Sequence, residues 1–320
     1  MSNTVYLLGG QGSQYIGMAS SLYEQNSEFR STMDRLNAVC LDHYGWSVTA
    51  GMYDPSRGIA DAFDDLPKSN AAIFMVEYSL AAALAAEGLR PDILVGSSLG
   101  EFGALAIAGH VAPEDGLRFV IDMAQLLDRR LPRGGMLAVL GDPRLHEELP
   151  ILHQHTEMAS VNHDGHFVLS GEPQGLERAR VALKERGLMA VPLPVSKAFH
   201  SSALDTVREE VTALASSFSF DLADGTAPTA PVVVSATTAG ILTRWTPEDC
   251  WNTLRRPISF TRSLAAVPGA SEARYVDLTP SSTLSTIMKT SHRGYRTYPI
   301  ITPFGSELAH LKSLLADLLP

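Results

Sequence analysis

At 320 residues the chain is long for a single compact core, so a main domain with a smaller one attached or inserted is expected. Its composition, 45% hydrophobic and 19% charged, is that of a soluble globular protein; the net charge of −10, with no dense Lys/Arg block, argues against a general nucleic-acid binder, whose phosphate contacts need a basic surface. The two cysteines, Cys40 and Cys250, stand far apart with no CxxC, which argues against a disulfide framework or a zinc site and suits a reducing cytoplasm.

The stretch VYLLGG (5–10) reads as a buried strand running into a glycine-rich loop, and it lacks the basic flank of a signal peptide. Helical pattern is expected from about Met18 to Cys40 and again over 71–88. The second of these is apolar and alanine-rich but carries Glu77 and Glu87, the mark of a buried helix and not of a membrane span. DILVG (92–96) has the continuous apolar character of a strand in a parallel sheet covered on both faces. A helix rich in small residues follows it, then another over 113–130.

The rhythm then changes. Strands are expected at 136–140, 158–162, 167–171 and 188–195, with helices at 143–150 and 173–187. That β-α-β-β-α-β order is the ferredoxin-like unit, so residues 134–195 are taken as a small domain inserted between 1–133 and 196–320. Beyond it come a helix at 201–218, a strand at 231–236, helices near 246–268, a strand at 274–278, and helices at 281–290 and 305–318. The expected fold class is α/β.

Gly96-Ser97-Ser98-Leu99-Gly100 fits the G-x-S-x-G nucleophile elbow. The bare pattern arises by chance in about one chain of this length in ten. Here it follows an apolar strand and precedes a helix, as the mechanism requires, so Ser98 is the nucleophile candidate and the Leu99 N–H a donor to a developing oxyanion. GGQGSQ (9–14) fails as a dinucleotide fingerprint, because Tyr15 stands where the third glycine should be, and it has no phosphate-loop lysine. Beside an elbow it makes better sense as the other half of an oxyanion hole, through the Gln11 N–H. His200, where the chain leaves the small domain, is the best-placed of ten histidines to act as base.

Taken in order and spacing, GGQGSQ, VGSSLGE, VSKAFH, LRRPISF and VDLTPSSTL resemble the malonyl-CoA:acyl-carrier-protein transacylase family, including the acyltransferase domains of polyketide synthases and their free-standing versions. The resemblance implies an α/β-hydrolase-like large domain with a ferredoxin-like small one, and a ping-pong reaction through an acyl ester on Ser98 with His200 as base. It further implies that His200 is oriented by a main-chain carbonyl near Asn252–Thr253 and not by an Asp. No metal or cofactor is implied; substrates are carried as CoA or phosphopantetheine thioesters, and the partner is an acyl carrier protein.

Two departures bear on the substrate. Ser97 replaces the histidine that usually precedes the nucleophile in this family, and Met123 stands where malonyl-using members carry a carboxylate-binding arginine. A buried carboxylate without its guanidinium loses a charge-assisted pair, whereas a thioether can line a pocket for a neutral chain. Non-malonyl acyl transfer, or hydrolysis that edits stalled carriers, is therefore expected, with Ser97, Met123 and Phe199 at the substrate. The alternatives are a malonyl transferase served by Arg118 or Arg129, an esterase using Asp164 as its acid, and a non-catalytic carrier-binding protein. Lys197 is a candidate for carrier contact or a solvated charge, and Arg129, Arg130, Arg133, Arg255 and Arg256 are candidates for a docking patch.

Overall fold

The computed structural model describes residues 2–220 and 230–319. Among the described residues ten strands form two sheets. β1 (Thr4–Leu8), β2 (Ile93–Gly96), β7 (Val232–Ser235), β8 (Gly240–Ile241), β9 (Arg274–Asp277) and β10 (Arg296–Pro299) make a six-stranded sheet in the order β10-β9-β1-β2-β7-β8. All neighbours in it are parallel except the short antiparallel β7–β8 pair.

Residue alternation along these strands feeds two separate cores. Tyr6, Leu8, Leu94 and Val276 face one helical layer, while Val5, Leu7, Ile93, Val95 and Tyr275 face the other. Burial on both faces is the reason the strands read as continuous apolar runs.

The larger layer is built on helix Leu66–Ala86, which packs against helices Ser27–Tyr44 and Pro113–Arg130. Asp65 caps its first turn through a bond from the Lys68 N–H, and Pro67 favours its start. This helix is long and apolar enough to cross a membrane by length and composition, yet most of it is buried inside the protein.

The second sheet, β4 (Glu157–His163), β5 (His166–Gly171), β3 (Gly135–Leu140) and β6 (Met189–Pro192) in the order β4-β5-β3-β6, is antiparallel throughout. With short helices between β3 and β4, and helix Pro173–Glu185 between β5 and β6, it is a ferredoxin-like unit lying inside the expected 134–195 insertion. Leu137, Val139, Phe167 and Leu169 pack onto its helices. The residues alternating with them, Met136, Ala138, His166 and Val168, point the other way, into a cavity shared with the large sheet.

Several elements depart from the sequence expectations. The helix expected over 18–40 is two, Ser20–Gln25 and Ser27–Tyr44, because Asn26 is extended and its side chain accepts from the Phe29 N–H. The stretch 201–218 starts as a 3₁₀ turn at Ser202–Val207 before helix Arg208–Ser216. The helices expected near 246–268 are present as Pro247–Arg255 and Phe260–Ala265, separated at Pro257. Helix Val48–Met52 and strands β8 and β10 were not anticipated.

Candidate active site

The loops leaving the carboxyl ends of β1, β2 and β9 meet at one edge of the parallel sheet, the usual position for a ligand in such folds. After β2 the chain turns sharply at Ser98, whose φ of 55° lies in the left-handed region that a residue with a Cβ seldom occupies. Two glycines make the turn possible. A Cβ on Gly96 would lie 2.5 Å from the Glu101 Cα, and one on Gly100 2.4 Å from the Leu8 carbonyl. The elbow is therefore pressed against β1 and its own helix, Gly100–Ile107.

In that helix the Gly100 and Glu101 amides bond back to the Ser97 and Ser98 carbonyls. Among the described residues, no acceptor engages the Leu99 N–H or the Gln11 N–H. A Cβ on Gly10 would lie 3.3 Å from the Leu99 nitrogen, so the glycine-rich loop brings its backbone directly beside the elbow. The Gln11 side chain is held away from the turn by Ser69 Oγ at 2.9 Å and by Asn70 Oδ1.

Ser98 Oγ and His200 Nε2 are 3.0 Å apart, and His200 Nδ1 is 2.9 Å from the Arg256 carbonyl oxygen. A carbonyl can only accept, so Nδ1 carries the proton and Nε2 presents its lone pair to the serine hydroxyl. The orienting carbonyl is that of Arg256, not one at Asn252–Thr253. Helix Pro247–Arg255 ends there, and the extended Arg256 before Pro257 turns its carbonyl out of the helix. His200 itself has φ 57°, and its N–H bonds the Leu254 carbonyl at 3.1 Å. Burial pushes the His200 pKa down to about 4, against a smaller upward effect of the Arg256 carbonyl, so the imidazole is neutral at pH 7.

Two carboxylates support this geometry from behind. Glu77 accepts from the Gly9 N–H at 2.8 Å and so fixes the start of the glycine-rich loop. Glu101, fully buried, accepts from Ser235 Oγ at 2.7 Å and Thr253 Oγ1 at 3.0 Å. Burial raises both carboxyls, that of Glu101 to about 7.

Ser98 and His200 open onto a cavity of about 190 Å³ between the two sheets. Val120, Met123, Leu127, Phe199 and Leu254 give it an apolar wall, and Ser97 also lines it. Among the described residues no Lys, Arg, Asp or Glu does. Arg118 instead pairs with Asp115, and Arg129 is exposed and reaches Gln125, so neither is a carboxylate clamp.

Asp164 lies exposed in the turn between β4 and β5 and makes no triad with His200. Lys197 is buried, with Nζ 2.9 Å from both the Asp128 and Leu131 carbonyl oxygens and 3.1 Å from Asp128 Oδ1, so it caps the end of helix Pro113–Arg130 and pairs with its last-turn carboxylate. Of the docking candidates, Arg130 pairs with Glu210, Arg255 with Asp205, and Arg256 reaches Asn252. The small sheet contributes Ser160, Asn162 and His166, none of which the sequence reading singled out; the β-alternation of HFVLS was the available signal.

A family model described as acyl transferase domain matches residues 5–303. The chain belongs to the acyl transferase domain family. Within that family it is similar to the polyketide biosynthesis acyltransferase homologs BaeD of Bacillus velezensis and PksD of Bacillus subtilis. Each is 36% identical over 97% of this chain and 95% of the relative. Among solved structures, the malonyl CoA-acyl carrier protein transacylase from Clostridium perfringens shares the fold with a TM-score of 0.81 and 24% identity, over 99% of this chain and 97% of that one. The acyl transferase architecture is thus an α/β-hydrolase-like core carrying a ferredoxin-like subdomain, as expected.

Proposed function

We propose that this acyl transferase acts on neutral acyl groups held as thioesters in polyketide or related biosynthesis, through an ester on Ser98. In the first half-reaction Ser98 Oγ attacks the thioester carbonyl as His200 Nε2 takes its proton. The tetrahedral oxyanion is met by the Gln11 and Leu99 N–H groups. The C–S bond then breaks, the departing thiolate takes the proton from His200, and the acyl group remains on Ser98. In the second half-reaction water or a carrier thiol gives its proton to Nε2 and attacks the ester carbonyl; the bond from that carbon to Ser98 Oγ then breaks, and Oγ takes the proton back from Nε2, which restores Ser98 and neutral His200.

The observation that carries this reading is the cavity wall: Met123 beside apolar neighbours and, among the described residues, no Lys or Arg. The charge balance of the reaction needs no metal or cofactor, since the thioester supplies the activated carbonyl. The partner is an acyl carrier protein, and the setting the cytoplasm. Intact-mass measurement during incubation with acetyl-, butyryl- and malonyl-thioesters tests it. Neutral adducts on Ser98 support the reading. Decay of those adducts in water marks an editing hydrolase, and persistence until a carrier is added marks a transferase. A lasting malonyl adduct with no neutral ones overturns it.

A further inference from the structure

Apart from the polar groups of Gln11, Ser13, Asn70, Ser97, Thr279 and Thr283 on the side of the large sheet, the cavity has a second polar strip. It lies on the roof supplied by the small sheet, where Ser160 and Asn162 of β4 and His166 of β5 line the space above Ser98. Their hydrogen bonds run in one direction. Ser160 Oγ donates to Asn162 Oδ1 at 2.8 Å, which leaves the Asn162 amide nitrogen facing His166 Nδ1 at 3.4 Å. An amide nitrogen only donates, so Nδ1 is the accepting nitrogen and the ring proton resides on Nε2. Among the described residues Nε2 has no partner. His166 thus lines the cavity with its ring N–H on Nε2, and among the described residues His200 is the other histidine in that lining.

We propose that His166 Nε2–H is a selectivity subsite that binds an uncharged carbonyl or hydroxyl oxygen of the thioester, carried either at the β position of the acyl chain or on the pantetheine arm. The proposal rests on the proposed function of the Ser98 site and deepens it by naming a feature of the substrate. Burial, assisted by the neighbouring His163, lowers the His166 pKa and keeps the ring neutral, so the subsite offers a donor and no net charge for a carboxylate. A half-buried donor left unmatched by a substrate lacking the oxygen loses the interaction, and one neutral hydrogen bond corresponds to about a 3- to 10-fold preference.

The test uses His166→Phe, which keeps a ring and removes the donor, and His166→Gln, which keeps a neutral donor. Each is assayed by kcat/KM on butyryl-pantetheine, 3-hydroxybutyryl-pantetheine and p-nitrophenyl butyrate, with a thermal melt to confirm folding. If the oxygen is in the chain, the hydroxybutyryl-to-butyryl ratio falls about 3- to 10-fold in His166→Phe. If it is in the arm, the thioester-to-p-nitrophenyl ratio falls instead. His166→Gln restores most of the lost ratio in either case. Both ratios unchanged in His166→Phe would overturn the proposal while leaving the Ser98 reading intact, whereas a wild-type protein that never acylates Ser98 overturns both. Ring ¹⁵N shifts of the free protein at pH 7 give a readout independent of turnover: a proton on Nδ1, or a charged ring, also refutes it.

Discussion

Replacing Met123 with arginine probes the cavity wall most directly. Met123 is 3% exposed, and the described residues around the cavity include no Lys or Arg. A malonyl carboxylate would therefore meet no guanidinium among the described residues that line the cavity, and leaving one member of a buried ion pair alone costs about 3–5 kcal/mol. At 1.36 kcal/mol per decade the lower end corresponds to about a 100-fold lower kcat/KM for malonyl than for butyryl thioester in the wild-type protein. Met123→Arg is expected to raise malonyl acylation at least about tenfold and to depress butyryl acylation, because the guanidinium fills the apolar wall and forms a charge-assisted pair only with the acid. Without ligand the same guanidinium has no carboxylate to meet, so the melting temperature should fall, and malonyl thioester should restore part of the loss. Rates are read from intact-mass time courses at matched thioester concentrations. Wild-type protein acylated by malonyl as fast as by butyryl would refute the reasoning, since no electrostatic penalty would then exist.

Ser98→Ala should abolish the acyl adduct, and acylation by the wild-type protein should rise with pH through about 4 and stay flat near 7, as stopped-flow acylation across pH reads directly. The same depressed His200 pKa makes the unfolded chain bind more protons between about 4 and 6.5, so this group's contribution to stability falls as pH drops through that window. Glu101, raised to about 7, has the opposite sign: its contribution falls as pH rises from about 4.5, and Glu101→Gln should flatten that slope in urea unfolding series at several pH values. Gly100→Ala puts a Cβ 2.4 Å from the Leu8 carbonyl; a loss of about 3 kcal/mol in chemical denaturation is expected together with lost acylation. Lys197→Met should cost about 1–3 kcal/mol of stability by orphaning two helix-end carbonyls and removing the partner of the Asp128 carboxylate, while KM for a carrier substrate stays unchanged.

What the sequence disclosed depended on whether the cause was local. The elbow was legible because its requirements, an apolar strand, two glycines and a helix start, all lie within a dozen residues, and the close approaches of Gly96 and Gly100 explain them. The glycine-rich loop was legible by what it lacks. The Arg256 carbonyl was not, since every residue has a carbonyl and only the helix end before Pro257 aims this one. Lys197 looked like a surface charge because its burial depends on how Leu131 and Asp128 end a distant helix. The polar strip of Ser160, Asn162 and His166 depends on how two sheets stack, which no single segment encodes.

Between those sheets lies one connection with a mechanical meaning. Ser160 of β4 pairs with Ile258 in an isolated parallel bridge: the Val161 N–H bonds the Ile258 carbonyl, and the Ile258 N–H bonds the Ala159 carbonyl, both at 2.9 Å. Only Pro257 separates Ile258 from Arg256, whose carbonyl sets the proton on His200. Roof and base are thus parts of one clamp. A small domain exchanged for that of a relative would bring its own strand edge to this bridge, and an ångström of misfit there would arrive at the imidazole. Grafts meant to change acyl selectivity should therefore carry the 252–259 segment along with the roof.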